Sequence, residues 1–210
     1  MHKLESIVDH IRQDFDTRTA ARDQALAQAR QLTRACSLAI RAVHRDDHDE
    51  MNDKLVEAHE LAKTLTVDLK NHPELFHAGY TQDALKEYVE ANNTCALIQN
   101  QPLQTPEELG VVNSTYLKGM AEVVGELRRR ILDIIRHGHS EEAERLLNQM
   151  NDIYSVLVTF DFNDSITGGL RRRTDTVRAV LERTRGDVTT SLRQAELERA
   201  LKALEKKLAG

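Results

Sequence analysis

Apolar residues recur every three or four positions along most of the chain. Leu4, Ile7, Ile11 and Phe15 follow that spacing, and Leu32, Cys36, Ala39, Ile40 and Val43 repeat it. Such a period puts side chains on one face of an α-helix. No Pro or Gly falls between residues 4 and 45. One long helix is therefore predicted over Leu4–Arg45, with Thr17–Thr19 the place where it would bend.

The acidic run Asp46-Asp47-His48-Asp49-Glu50 reads as a turn and the charged first turn of a second helix, where negative charge suits the helix dipole. That helix is predicted over Asp49–Lys70, with a stripe of Leu55, Ala58 or His59, Ala62, Leu65 and Leu69. Asn71-His72-Pro73 ends it. A third helix reaches Gln99 from Pro73 or Tyr80, with Gly79 as a candidate break. Thr105-Pro106-Glu107-Glu108 is a helix start with a capping box, and Gly110 stops the short helix it opens. A fifth helix is predicted over Ser114–His137, with Leu117, Met120, Val124, Leu127 and Ile131 buried and Gly138 as the stop. Ser140 caps a sixth that reaches Phe160. The loop Asp161–Asp164 and the pair Gly168-Gly169 precede a last helix over Leu170–Leu208. No strand, internal repeat or domain linker stands out. The expected architecture is all-α: one antiparallel bundle of six or seven helices over residues 1–210.

Composition sharpens this picture. Hydrophobic residues make up 40% of the chain but aromatics only 4%, with no Trp, so the core must be aliphatic. The formal net charge of −5 argues against a surface that coats nucleic acid all over. It leaves room for a local basic cavity. Cys36 and Cys95 lie outside any CxxC motif, which suits a reducing compartment. The N-terminal residues lack a signal peptide's apolar run, and no stretch approaches the ~20 apolar residues of a membrane span. A cytoplasmic location and no membrane partner are expected.

Three blocks carry a family resemblance. Glu87-Tyr88-Val89-Glu90-Ala91 resembles the EYVEA segment of translin-associated factor X. Tyr116-Leu117-Lys118-Gly119-Met120-Ala121-Glu122-Val123-Val124-Gly125-Glu126-Leu127 is similar to the translin family's Y-L-x-G-x-x-(D/E)-x-x-x-E-L helix. Leu170-Arg171-Arg172-Arg173-Thr174-Asp175 resembles its L-R-(K/R)-(K/R)-x-D block. They come in the family's order at roughly its spacing, and the resemblance extends from about Arg22 through the last helix. It implies an all-helical subunit of closed homo-octamers that enclose RNA, with single-stranded DNA as an alternative ligand. Whether a second translin-family subunit joins the shell is left open. The branch containing translin-associated factor X implies a Mg²⁺-dependent endoribonuclease acting on single-stranded RNA, with Mn²⁺ as a substitute ion.

The carboxylates suit that chemistry. Glu87 and Glu90 are three residues apart, and Glu122 and Glu126 four apart, so each pair shares a helix face. Mg²⁺ takes hard oxygen ligands, commonly one or two carboxylates with water and substrate phosphate. Carried over by position, the family's catalytic residues fall on Glu87, Glu90 and Glu122, with Glu126 as an added metal ligand. Glu122 stands where the family has Asp, one methylene longer. Read without the resemblance, Glu122 and Glu126 point away from their helix's apolar stripe, and Glu87 opposes Leu85, Val89 and Ala96. That describes a solvated face; a cavity wall is wet in the same way.

Basic residues offer an RNA-binding surface. Arg30, Arg34, Arg41 and Arg45 fall in a narrow sector of the first helix and could track a phosphate backbone. His77 lies where translins carry RNA-contacting basic residues. Arg128-Arg129-Arg130 and Arg171-Arg172-Arg173 cannot all face one way, and ion pairs with acids of neighbouring subunits are expected for some. His44, Asp47, His48 and Asp49 match no defined metal spacing and read as a charged turn. His137-Gly138-His139 reads as a helix C-terminus, and Tyr88 and Tyr116 as packing residues. Interleaved aromatics that would stack bases are missing. Three functions stay open: the nuclease, a translin-like shell that binds without cutting, and a bundle that recruits another protein.

Overall fold

The structure is a computed structural model and describes residues 2–138 and 140–208. Among them are nine helices and no strand. Six are long: α1 (His2–His44), α2 (His48–Asp68), α4 (Gly79–Ile98), α6 (Asn113–Ile135), α7 (Glu141–Leu157) and α9 (Leu170–Leu208). Three are single turns: α3 (Pro73–Phe76), α5 (Pro106–Leu109) and α8 (Asp164–Thr167). Four residues cannot display a hydrophobic period, so α3 and α8 carried no signal of that kind. Only α5 had caps clear enough to announce it.

Local chemistry sets the helix boundaries. Asp46 takes a positive φ of 56°, and the Asp47 carboxylate then accepts from the Glu50 N–H to cap α2. Thr105 and Glu108 form a reciprocal capping box, and Gly110 closes α5 in the left-handed region at φ 66°. The Ser140 hydroxyl accepts from the Ala143 N–H at the start of α7. Gly168 takes φ 62° to end α8, a conformation that a Cβ would strain. α6 stops at Ile135, two residues short of the expected His137, and Gly138 follows at φ 115°. His137 lies in that turn; His139 lies outside the described residues. α1 runs through Thr17–Thr19 unbroken.

The chain forms two compact units. The first comprises residues 1–92 and 105–115. Its frame is the α1–α2 hairpin. The Gln24 and Gln28 amides both donate to the Asp68 carboxylate, at 2.7 and 2.6 Å. Those residues lie about equally far from the Arg45–Asp47 turn, so the two helices are antiparallel. Leu32, Cys36, Ala39 and Val43 of α1 and Met51, Ala58, Ala62 and Leu65 of α2 are buried. On α4, every residue from Ala84 to Cys95 except Glu87 is buried.

The second unit comprises residues 93–104 and 116–210, described up to 208. Its core is Val123, Val124, Leu127 and Ile131 of α6, Leu146, Met150 and Leu157 of α7, and Leu170, Val177, Leu181 and Val188 of α9. Arg145 of α7 donates to the Leu97 and Ile98 carbonyls, satisfying the last turn of α4. Leu127 is fully buried. Leu127→Ala should cost about 2–5 kcal/mol through lost transfer energy and a cavity. A fall in melting temperature of roughly 5–15 °C is expected in a thermal melt, and a fall of 2 °C or less would count against this core.

Two helix ends carry apolar stripes without cover. Leu4, Ile7, Ile11 and Phe15 of α1, and Leu197, Leu201, Leu204 and Leu208 of α9, are all exposed. No described helix is long and apolar enough to cross a membrane.

Candidate metal centre

Glu87 and Glu90 lie one turn apart on α4, and Glu122 lies on α6. One oxygen from each lies within 4.8 Å of the others, and among the described residues this is the group close enough to hold a metal ion. Three charges at that separation repel. At an effective dielectric near 20 each pair costs about 3 kcal/mol or more. Exposure does not relieve this, because Glu90 keeps only 9% of its surface. Glu90 therefore does not stand on a solvated face.

Two cations sit on the group. Lys86, itself 9% exposed, places Nζ 3.1 Å from Glu87 Oε1. Arg173 of α9 donates from its guanidinium to Glu122 Oε1. Neither was singled out from the sequence. Lys86 is one unremarkable Lys before a motif, and Arg173 is one of three consecutive Arg. At about 100° per residue those three point in different directions, and only the fold decides which one meets Glu122. Glu126 is not in the group; it accepts from Arg129 at 3.4 Å.

The other Arg cluster also pairs within the chain. Arg128 binds Asp187 at 2.8 Å and the Thr184 hydroxyl at 2.9 Å, and Arg130 binds Glu142 at 3.2 Å. These arginines have acids of their own chain as partners. Arg30, Arg34 and Arg41 are exposed on α1, and Arg45, exposed in the turn that follows, pairs with Glu50. His77 is exposed in the turn after α3, edge-on to Phe76 at 5.0 Å. Asp47 is spent on its helix cap.

Tyr88 follows Glu87 and is 1% exposed, with its hydroxyl 2.8 Å from His59 Nδ1. Burial, with a smaller contribution from Cys36, pushes its hydroxyl up to about 12. Burial likewise pushes the Cys95 thiol up to about 12. Both folded values exceed the unfolded ones, so the folded state keeps protons that the unfolded state loses. Stability is unaffected below about pH 9 and falls as pH rises toward 12. At about 1.4 kcal/mol per pH unit the loss is on the order of several kcal/mol. Urea midpoints should fall between pH 9 and 12, and Tyr88→Phe with Cys95→Ala should flatten that fall. A double variant with the wild-type slope would contradict the assignment. Tyr116 is half-buried and lines an apolar cavity of about 360 Å³ with Leu97, Leu103, Met120, Ile153 and Leu157.

Fold and site together define a class: an all-helical subunit with a carboxylate cluster whose members stand on α4 and α6. Known proteins narrow it. The chain is 34% identical over 188 residues to the uncharacterized protein MJ0175 of Methanocaldococcus jannaschii, covering 89% of this chain and 83% of that protein. It is similar to AfC3PO, in crystals of that protein and in its complex with duplex RNA. Each match has 30% identity and a TM-score of 0.83 and covers 90% of this chain and 98% of the other. NeC3PO, without ligand, gives a TM-score of 0.80 at 22% identity over 88% of this chain and 96% of that one, which speaks to the fold alone. No protein-family model matches the chain. The chain belongs to the translin family and is of the C3PO type, similar to translin-associated factor X.

Proposed function

We propose that this protein is an RNA-binding, divalent-metal-dependent endoribonuclease that acts on single-stranded RNA inside a homo-oligomeric shell. The observation that carries the reading is the grouping of Glu87, Glu90 and Glu122 within 4.8 Å. An apolar-sided helix has no structural use for a buried carboxylate beside two others, whereas a cation converts their repulsion into binding energy. The donor set fits the group: three carboxylates are hard oxygen ligands suited to Mg²⁺ or Mn²⁺. When bound, the ion would polarise water for attack and neutralise charge on the scissile phosphate. The chain's own residues position the ligands: buried Glu90 fixes one ligand oxygen, Lys86 pairs with Glu87, and Arg173 pairs with Glu122.

RNA binding draws support from the relative that forms a complex with duplex RNA. The exposed Arg30, Arg34 and Arg41 and the nearby Arg45 supply a basic stripe to follow a backbone, with His77 as a further contact. The assembly draws support from the two uncovered stripes. Exposed Leu4, Ile11 and Phe15, with half-buried Val8 among them, fall at intervals of four, three and four, as do Leu197, Leu201, Leu204 and Leu208. That is a coiled-coil seam. Residues 3–16 carry four acids and two bases, and residues 193–207 five bases and three acids. Each seam fits the opposite seam of a second copy.

A second reading, a shell that binds RNA without cutting it, is favoured by one feature. Glu122 replaces the shorter Asp of the family and is engaged by Arg173. The test incubates the protein with labelled single-stranded and duplex RNA, in Mg²⁺ or in EDTA. Mg²⁺-dependent cutting of the single strand is expected. Binding without products in every lane would leave the shell and remove the nuclease.

A further inference from the structure

We propose that Arg173 is an internal competitor for the metal. It holds the Glu122 carboxylate while the cation is absent, and passes to the RNA phosphate once a divalent ion takes that carboxylate. The inference rests on the metal-site reading above. The guanidinium donates directly to Glu122 Oε1, and Glu122 is one of the three grouped carboxylates. Their side chains are 33% and 27% exposed, so the pair is neither sealed in the core nor freely solvated. The surroundings explain why a cation belongs there. Three carboxylates at this spacing need countercharge whether or not a metal is bound, and Lys86 already serves Glu87.

A carboxylate oxygen shared with a guanidinium donates less to a metal, so the two cations compete for Glu122. Once displaced, Arg173 has a planar fork that matches a phosphodiester, and its charge stands at the place where the scissile group must come. Lys86 is less suited to this exchange, its side chain being 11% exposed against 33% for Arg173 and without a fork. Arg171 and Arg172 are exposed on other faces of α9.

The consequence is a pair of opposite effects from one substitution. R173Q removes the competitor, so metal should bind more tightly. It also removes the phosphate contact, so RNA should bind more weakly. Structural damage would weaken both. R173K keeps the charge without the fork and should fall between wild type and R173Q on each scale.

The experiment titrates Mn²⁺ alone into wild type, R173K, R173Q and E122Q by calorimetry, then measures RNA affinity in Ca²⁺. R173Q is expected to bind Mn²⁺ about tenfold more tightly than wild type, E122Q more weakly, and R173Q to lose about tenfold in RNA affinity. If wild type binds Mn²⁺ through Glu122 but R173Q matches it or binds more weakly, the competitor role is overturned while the metal site stands. Tighter Mn²⁺ binding with unchanged RNA affinity would overturn the transfer to phosphate. If neither wild type nor R173Q takes up Mn²⁺ at millimolar concentration, the metal site falls and this inference falls with it.

Discussion

Glu90→Gln is expected to lower metal-dependent RNA cleavage by at least about a hundredfold while RNA binding persists. The substitution keeps the shape of the side chain and removes its charge. Glu90 is the most buried of the three grouped carboxylates, so no solvent-borne anion can stand in for it. A metal contributes several kcal/mol of charge stabilisation to the transition state, and each 1.36 kcal/mol is a factor of ten in rate. Losing a ligand therefore costs far more in rate than in fold. Cleavage rates under single-turnover conditions, with circular dichroism to confirm helical content, make the comparison. Wild-type cutting by a folded Glu90→Gln protein would remove Glu90 from the site.

The second large effect is on assembly. Leu201→Glu with Leu204→Glu should reduce the oligomer to smaller species at micromolar concentration. Both leucines are half-exposed within a single chain, so the change costs little in the isolated subunit. Across a coiled-coil seam it buries charge against the apolar residues of a second copy. Light scattering coupled to size exclusion would show the drop in mass. An unchanged mass would place the assembly interface elsewhere, leaving the carboxylate site untouched.

Much of the fold was legible because long helices advertise themselves. The periods of α1, α2 and α6 repeat often enough to read, and Thr105, Gly110 and Ser140 mark ends by capping chemistry that acts within a few residues. The single-turn helices α3 and α8 were less so, being shorter than one period. Helix α4 hides polar residues that carry no sequence signal of burial: Asn92, Asn93 and Thr94 are all buried. The Asn92 amide donates to the Tyr88 carbonyl and Asn93 Oδ1 accepts from the Gln104 N–H, whereas Asn93 Nδ2 and Thr94 Oγ1 are buried without a hydrogen-bond partner.

The site shows the same division. The pairing of Glu87 with Glu90 follows from their spacing on one helix. The approach of Glu122 is a long-range fact, reached from the sequence only through the family resemblance. Which of Arg171, Arg172 and Arg173 meets Glu122 was not legible, because a run of three arginines specifies no direction. The partners of Arg128 and Arg130 were illegible for the same reason, since charge alone does not name its partner.

The most direct test of the central claim is where the ion goes. Crystals grown with Mn²⁺ would be measured for anomalous scattering. A peak among the Glu87, Glu90 and Glu122 oxygens, absent in Glu90→Gln, is the result this account predicts. Crystals of a protein that binds Mn²⁺ in solution but show no peak there would contradict it.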